Sequence, residues 1–148
     1  MQSKDLQLEQ FKHKIELNVR FMDLDALRHV NNGRYLNFLE EARIAYSQEH
    51  LDLFNSIEEF NVVVARIEID YISPILFGEK VSVYTRISRM GSKSFNFESI
   101  LTATDKSNKE RIAAHANQTI VAFDPKINKS IVIPEEIKAE IRRIEGID

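Results

Sequence analysis

The sequence predicts an α+β domain in which an antiparallel sheet curls around one long central helix. Apolar residues have helical spacing in one early segment, change to a period of two from Val62 onward, and are interrupted there by short turn motifs. Several strands that follow a single helix favour an antiparallel sheet over alternating parallel units. Curling that sheet around the helix is the simplest way to bury both apolar faces.

The first predicted elements are a strand and the long helix. We expect a strand between Phe11 and Phe21, because apolar residues alternate with polar ones there. Asn31 or Asn32 can cap the helix, since an Asn side chain accepts from free backbone N–H groups. The helix should then run to about Gln48, a length of about 25 Å. Its predicted apolar stripe consists of Tyr35, Leu36, Leu39, Ala42 and Tyr46.

Four strands are expected after the helix, because apolar and polar residues alternate along four runs. These runs begin near Val62, Val81, Phe95 and Ile112. The predicted turns between them are Ser73-Pro74 with Phe77-Gly78, Met90-Gly91, and the polar run from Asp105 to Glu110. Pro134 can start a last helix. The apolar face of that helix would consist of Ile137, Ile141 and Ile144.

Composition narrows the functional classes. The chain has 148 residues, a size typical of one domain, with 43% hydrophobic and 29% charged residues. Its formal net charge of −3 gives no global attraction to nucleic acid or to anionic membranes. Cysteine is absent, which excludes disulfides and thiolate metal sites. Since no secretory signal or membrane-spanning run is found, we expect a cytoplasmic protein.

The segment FMDLDALRHVNNGRYLNF, residues 21–38, places Asp23, Asp25 and His29 beside a hydrophobic run. One interpretation is a phosphatase of the haloacid-dehalogenase type, in which an apolar strand ends in Asp-x-Asp. That chemistry also needs a distant Lys and an acidic pair for magnesium on a parallel sheet. No such acidic loop follows, and the later strands indicate an antiparallel meander.

Metal sites fit the same segment less well. A calcium loop would have Leu27 at its third ligand position and Arg34 where a Glu is required. A zinc site could use His29 with Asp25, but no second histidine lies at helical spacing.

A third interpretation places the carboxylate of Asp25 in a cleft beside a helix N-terminus. Free N–H groups and the helix dipole stabilise negative charge there. A thioester carbonyl that is attacked becomes an oxyanion and suits that position. A carboxylate beside it can attack directly or can take a proton from water.

The signature of the 4-hydroxybenzoyl-CoA thioesterase family, which has the hotdog fold, closely resembles Asp23-x-Asp25-(x)3-His29-Val30-Asn31-Asn32-x-x-Tyr35-Leu36-x-x-x-Glu40-x-Ala42-Arg43. The later strings RIEIDYISPILFGEKVSVYTRI, GSKSFNFES and VAFDPKINKSIVIP also resemble strands of that family. The resemblance covers about residues 12 to 140. It implies a single hotdog thioesterase domain over residues 1–148, with that stretch as its core.

The resemblance implies roles for four residues. Asp25 matches the catalytic carboxylate, and Asn32 falls where a backbone N–H polarises the thioester carbonyl. His29 is shared with the similar plant acyl-carrier-protein thioesterases, although Leu27 stands where those enzymes have an active-site Asn. Glu40 matches an active-site neighbour in some branches of the family.

The resemblance also implies acyl-CoA hydrolysis without metal or cofactor, by a homodimer or a tetramer built from two dimers. The site would lie between subunits, with Asp25 of one chain facing the strand that starts at Val62 in the other. The expected substrate contacts are Tyr35, Val62, Val64, Arg89 and Lys93. The alternatives are an acyl-carrier-protein thioesterase and a non-catalytic hotdog protein that binds an acyl ligand.

Structural roles are the competing interpretation of the same residues. Asp23 can be a turn residue, and His29 can serve packing or capping. Glu40 and Arg43 are three residues apart and can pair across a helical turn. By default, the basic residues near the strand ends are solvated, namely Arg89, Lys93, Lys106, Lys109 and Arg111.

Overall fold

The computed structural model describes residues 7–52 and 61–148 and contains two α-helices and six strands. The helices are α1 (Arg34–His50) and α2 (Glu135–Glu145). The strands are β1 (His13–Asn18), β2 (Asn61–Tyr71), β3 (Lys80–Met90), β4 (Ser94–Thr104), β5 (Glu110–Asp124) and β6 (Lys129–Ser130). The predicted sequence of one strand, one long helix, four long strands and a last helix is confirmed.

The strands form one antiparallel sheet in the order β1-β3-β4-β5-β2, with the short β6 paired to β5. Among the described strands, β2 pairs only with β5, so it is an edge strand of this sheet. Register shifts occur at Val64/Arg66, Ile87/Arg89 and Leu101/Thr102. Such irregularities bend a strand and increase its twist, which suits a sheet that curls around a helix.

Helix α1 packs against this sheet through a buried stripe. The stripe consists of Tyr35, Phe38, Leu39, Ala42 and Tyr46. The prediction of Leu36 in the stripe is wrong, because Leu36 is 42% exposed and Phe38 is buried instead. Leu36 and Phe38 are about 200° apart around the helix, so only one of them can face the sheet.

The ends of the helices differ from the predictions in detail. The N-cap of α1 is Gly33, and neither Asn31 nor Asn32 caps it. Asn31 instead accepts the Gly33 N–H on its Oδ1 at 2.8 Å, just ahead of the helix. Pro134 precedes α2 as predicted, and this helix buries Ile141 and Ile144. Among the described residues, no helix is long and apolar enough to span a membrane.

Candidate functional site

Asp23 is buried and stabilises the turn that precedes α1. Its side chain is buried, accepts the Arg20 backbone N–H at 2.8 Å, and lies 3.4 Å from the Arg20 guanidinium and 3.7 Å from that of Arg34. Its backbone carbonyl accepts the Asn31 N–H at 2.7 Å. Asp23 therefore connects a short 3-10 turn to the start of α1, in agreement with its interpretation as a turn residue.

Asp25 is half-buried and holds a second tight turn. Its Oδ1 accepts the backbone N–H groups of Leu27 at 2.8 Å and of His29 at 3.3 Å. Its own N–H donates to the His29 carbonyl at 2.8 Å, and Arg28 takes a positive φ of 64° to close the turn. No described residue donates to the other carboxylate oxygen, Oδ2. The turn thus fixes the direction of the carboxylate and leaves one oxygen available to a ligand.

The turn is attached to the segment that follows β2. Val30 donates its N–H to the Ile75 carbonyl at 2.8 Å, and His29 forms an isolated bridge with Leu76. The neighbouring Glu79 is paired with Arg111, which also donates to a carbonyl in this segment at 2.6 Å. The Arg111 hydrogen bond is the main reason that the pKa of Glu79 lies below its usual value. Arg111 was expected to be solvated, but it supports the segment that follows β2.

Tyr71, the last residue of β2, joins the segment that follows this strand to the start of α1. Its hydroxyl donates to the Asn32 carbonyl at 3.0 Å, and its ring meets that of Tyr35 edge to face at 4.9 Å between centroids. Burial raises the pKa of Tyr35 to about 12, so this hydroxyl stays protonated near neutral pH. The sequence analysis assigned no role to Tyr71, although this residue lies inside the string RIEIDYISPILFGEKVSVYTRI.

The backbone donors at the start of α1 differ in their partners among the described residues. The N–H of Asn31 binds the Asp23 carbonyl, that of Gly33 binds the Asn31 side chain, and that of Arg34 binds the Asn31 carbonyl. The N–H of Asn32 makes no hydrogen bond to any described residue. It therefore remains available at the positive end of the helix dipole, where an oxyanion is stabilised.

These groups line one cleft of about 330 Å³, which we call the Asp25 cleft. Its lining includes Asp25, His29, Asn32 and Tyr35, together with Tyr71 and residues 72–74. Four of the sequence-predicted site residues thus lie together. The His29 ring has no hydrogen bond to another residue within the described ranges.

Glu40, Val62 and Val64 lie in a different pocket, which we call the helix pocket. This pocket has a volume of about 260 Å³ and lies beside the second half of α1. Its remaining lining is mostly apolar and consists of Arg43, Ile44, Ser47, Phe95, Phe97 and Ile120. Within one chain, Glu40 is therefore not part of the Asp25 cleft.

Arg43 does not form the ion pair with Glu40 that their helical spacing would allow. Its guanidinium donates instead to the Gln118 side chain, which is fully buried. Burial lowers the pKa of Arg43, and the charge of Glu40 partly offsets that effect. The helix pocket therefore combines apolar walls with one cationic group.

The two pockets lie at opposite ends of the sheet. Tyr71 and Val64 are seven positions apart on β2, which corresponds to about 23 Å. Arg89 and Lys93 are exposed and lie at the β3–β4 turn, at the end of the sheet that holds the helix pocket. Within one chain, Arg89 and Lys93 are therefore separated from a ligand in the Asp25 cleft by the length of the sheet.

Sequence reasoning assigned no role to a third group of side chains. His13, Glu49 and His50 meet where β1 passes the C-terminal end of α1. No spacing in the sequence indicated this cluster, because 36 positions separate His13 from Glu49 and the contact depends on the fold.

Comparison with known proteins gives a consistent result. Residues 19–141 match the thioesterase-like superfamily. The long-chain acyl-CoA thioesterase FadM of Escherichia coli is 29% identical over 131 residues, which cover 87% of this chain and 96% of that protein.

Solved structures share the fold. A thioesterase from Thermus thermophilus, complexed with coenzyme A and Zn, has a TM-score of 0.81 at 36% identity and covers 95% of this chain and 98% of its own. A 4-hydroxybenzoyl-CoA thioesterase mutant complexed with 4-hydroxybenzoyl-CoA has a TM-score of 0.77, with 87% and 97% covered. At 13% identity, that second likeness concerns the fold alone. The prediction of a hotdog fold is confirmed.

Proposed function

The chain belongs to the thioesterase-like superfamily and is a thioester hydrolase, and from this premise we propose that it acts on acyl-CoA with Asp25 as its catalytic carboxylate. One observation carries the proposal. The Asp25 cleft contains a carboxylate oxygen without a protein partner and a backbone N–H without an acceptor, both judged among the described residues. Nucleophilic or base catalysis and oxyanion stabilisation, the two requirements of thioester hydrolysis, are therefore available in one cleft.

In the general-base route, Asp25 takes a proton from a water molecule while the water oxygen forms a bond to the thioester carbonyl carbon. The carbonyl oxygen becomes an oxyanion and accepts the Asn32 N–H. The carbon–sulfur bond then breaks, and the sulfur leaves with the proton that Asp25 holds. The products are the free acid and CoA.

In the nucleophilic route, an Asp25 oxygen attacks the same carbon, the thiolate leaves, and water hydrolyses the resulting anhydride. Label found in the protein after a single turnover in ¹⁸O-labelled water would identify the nucleophilic route. Attack of water on the Asp25 carbonyl of the anhydride would leave the label in the protein, whereas the general-base route places it only in the free acid.

Other cleft residues complete the proposal. Tyr71 holds the start of α1 through the Asn32 carbonyl, in the peptide group next to the one that carries the Asn32 N–H. We assign His29 to the ligand side of the cleft, because it lines the cleft and its ring has no hydrogen-bond partner among the described residues. Tyr35 provides an apolar floor beneath the reacting group.

The separation of the two pockets supports a site shared between subunits. Strand β2 is an edge strand, and unpaired edges can join to other chains. If two β2 strands pair antiparallel about a two-fold axis, Tyr71 of one protomer lies near the start of β2 in the other. The Asp25 cleft would then open beside the partner's helix pocket.

This arrangement gives roles to the remaining predicted residues. An acyl chain would run from the Asp25 cleft into the helix pocket across the interface, past Val62, Val64 and Glu40. The CoA phosphates would meet the exposed cations Arg89 and Lys93, which lie at the end of the sheet that holds the helix pocket. We therefore propose a homodimer, or a tetramer of two dimers, as the active form.

The test is a thiol-release assay with acyl-CoAs of different chain length, and with the matching acyl-carrier proteins. We expect hydrolysis of at least one acyl-CoA, and loss of it in Asp25→Asn. Preferred hydrolysis of acyl-carrier protein would favour the alternative enzyme class. Tight binding of acyl-CoA without thiol release from either substrate would favour the non-catalytic alternative.

The remaining expectations belong to the same proposal. We propose that residues 1–148 form a single domain with a core of about 12–140. Limited proteolysis should therefore leave this stretch intact. We also propose a cytoplasmic location, which cell fractionation tests.

A further inference from the structure

A group of potential metal ligands lies at the C-terminal end of α1, away from the Asp25 cleft. It comprises His13 on β1 together with Glu49 and His50, which are the last two residues of α1. One ligand atom from each residue lies within 4.8 Å of the others. It is the one such group of three among residues 7–52 and 61–148.

Two nitrogen atoms in this group are buried without a partner among the described residues. The His13 side chain is only 3% exposed, and its Nδ1 makes no hydrogen bond to any of them. His50 Nε2 is likewise buried and has no partner in the described part of the chain. A buried polar atom without a partner costs stability, so most of them in native proteins bind something. The unpaired His50 Nε2, which lies beside the His13–Glu49 pair, therefore indicates a ligand.

The surroundings hold the rings in place. Tyr46 contacts the His13 ring at 5.4 Å and the His50 ring at 4.9 Å between centroids, and the two histidine rings are 5.3 Å apart. The Tyr46 hydroxyl donates to Glu145 at 3.0 Å, and that carboxylate also accepts a backbone N–H from β3. The site is therefore supported from α1, β3 and α2.

We propose that His13, Glu49 and His50 bind one divalent transition-metal ion, with zinc as the first candidate, and so join β1 to the end of α1. Two imidazoles and one carboxylate form a ligand set that zinc takes in proteins, with a water molecule in the fourth position. Calcium and magnesium require mostly oxygen ligands and do not suit two imidazole nitrogens.

The distances are compatible with such an ion after small side-chain movements. Ligand atoms of a tetrahedral zinc site, with bonds of about 2.1 Å, lie on the order of 3.4 Å apart. His13 Nε2 and Glu49 Oε2 are 3.1 Å apart, and the whole group lies within 4.8 Å. The Glu49 side chain is 61% exposed, so an ion and its water can enter from that side.

The position of the site separates it from hydrolysis. The 17 residues of α1 correspond to about 25 Å, which puts the ion at the opposite end of the helix from the Asp25 cleft. Its effect should therefore be on stability, with catalysis unchanged.

The test is zinc titration of chelator-stripped, full-length protein in competition with a chromophoric chelator. We expect one equivalent per chain, and a visible absorption band of tetrahedral type when Co²⁺ replaces zinc. Since even an indirect partner of a metal ligand is worth 10–100-fold in affinity, His50→Gln should weaken zinc binding by about 100-fold or more. Absence of stoichiometric binding, or equal binding by His50→Gln, would overturn the proposal.

His115→Gln is the matched control. His115 also pairs with a glutamate, since its Nε2 lies 2.8 Å from Glu98 Oε2, but an arginine, Arg86, occupies the other side of that carboxylate. This variant should bind zinc as the wild type does. Zinc should raise the unfolding temperature of wild type and of this control, but not of His50→Gln. If His50→Gln does not fold, Glu49→Gln replaces it, because Glu49 is mostly exposed.

Discussion

The two ends of α1 use the same residue types in opposite ways. At the N-terminal end, a carboxylate and a histidine, Asp25 and His29, line an open cleft and make their described hydrogen bonds with the backbone. At the C-terminal end, His13, Glu49 and His50 meet beside the ring of Tyr46, and one ring nitrogen of each histidine is buried. The difference shows that burial and local partners, more than residue type, determine whether such a group is free to meet a substrate.

Asp23 and Asp25 show the same contrast at close range. Asp23 is fully buried between two arginines and a backbone N–H. Asp25 is half-buried, and one of its oxygens has no partner among the described residues. The two side chains are separated by a single residue, yet only the second can meet a substrate. Mutations at these two positions should therefore affect different properties.

The largest expected effect is that of Asp25→Asn on catalysis. The amide keeps the shape of the side chain and can still accept the N–H groups of the turn, but it cannot act as nucleophile or base. We expect kcat to fall by about 10²–10⁴-fold, with little change in the free energy of unfolding. The measurement is steady-state thiol release together with urea denaturation.

Asp23→Asn is the matched control for that experiment. It weakens a buried carboxylate that binds two arginines, so we expect the free energy of unfolding to fall by about 1–3 kcal/mol. The kcat of the folded fraction should change much less than in Asp25→Asn. Equal loss of kcat in both variants would show that the contrast between the two carboxylates is wrong.

Local patterns in the sequence were enough to predict the elements, and four of the ten residues that line the Asp25 cleft were named as site residues. The alternation of residues fixes which segments form strands, and the string from Asp23 to Asn32 is short enough for its members to meet through local turns. Contacts between distant segments had no such signal. Tyr71 meets Asn32 across 39 positions, and the sheet curvature that brings them together cannot be derived from either segment alone.

The error at Leu36 has a related cause. Leu36 and Phe38 are both apolar and flank the stripe on opposite sides, about 200° apart, so the helix sequence alone does not decide which flank faces the sheet. The curved sheet selects Phe38 because it lies on the same side as Leu39 and Ala42. The choice depends on packing with β3 and the other strands, which the helix sequence does not contain.

The second prediction tests whether the two pockets combine across a dimer. Val63 is a 42% exposed residue on the edge strand β2 and lines neither pocket. In Val63→Lys, a charged side chain would replace an exposed apolar residue in the proposed contact between the two β2 strands, so we expect a monomer of about half the dimer mass and loss of most activity at dilute concentration. Light scattering and thiol release at the same protein concentrations measure the two quantities in parallel.

Activity of Val63→Lys should return as its concentration rises and the dimer forms again. A control, Val132→Lys, adds the same charge at an exposed valine outside the strands and should remain dimeric and active. A fully active monomer of either variant would exclude a site shared between subunits.

A smaller effect is expected at the junction of β2 with α1. Tyr71→Phe keeps the ring contact with Tyr35 and removes only the hydrogen bond to the Asn32 carbonyl. That bond is worth about 0.5–1.5 kcal/mol, so kcat should fall by roughly 2–10-fold. The fall should appear in kcat more than in KM if the bond aims the Asn32 N–H at the transition state. A change confined to KM would assign Tyr71 to substrate binding alone.

The smallest expected effect concerns the other end of α1 and the dependence of stability on pH. Burial is the largest cause that lowers the pKa of His13 from 6.5, with the charge of His50 acting in the same direction and Glu49 and Glu145 opposing it. The unfolded chain therefore takes up a proton near pH 6.5, while the folded chain does so only at lower pH. Between these values the unfolded state binds more protons, so stability falls as the pH is lowered below about 6.5.

His13→Gln removes this contribution, so the free energy of unfolding should fall less steeply from pH 6.5 towards pH 5 than in wild type. One proton can contribute a slope of at most about 1.4 kcal/mol per pH unit, which bounds the difference. The measurement is urea denaturation across this range with a chelator present, because a bound metal would itself add pH dependence. Above pH 6.5 the two curves should run parallel. Identical slopes below that pH would mean that His13 is protonated as easily in the folded chain as in the unfolded one.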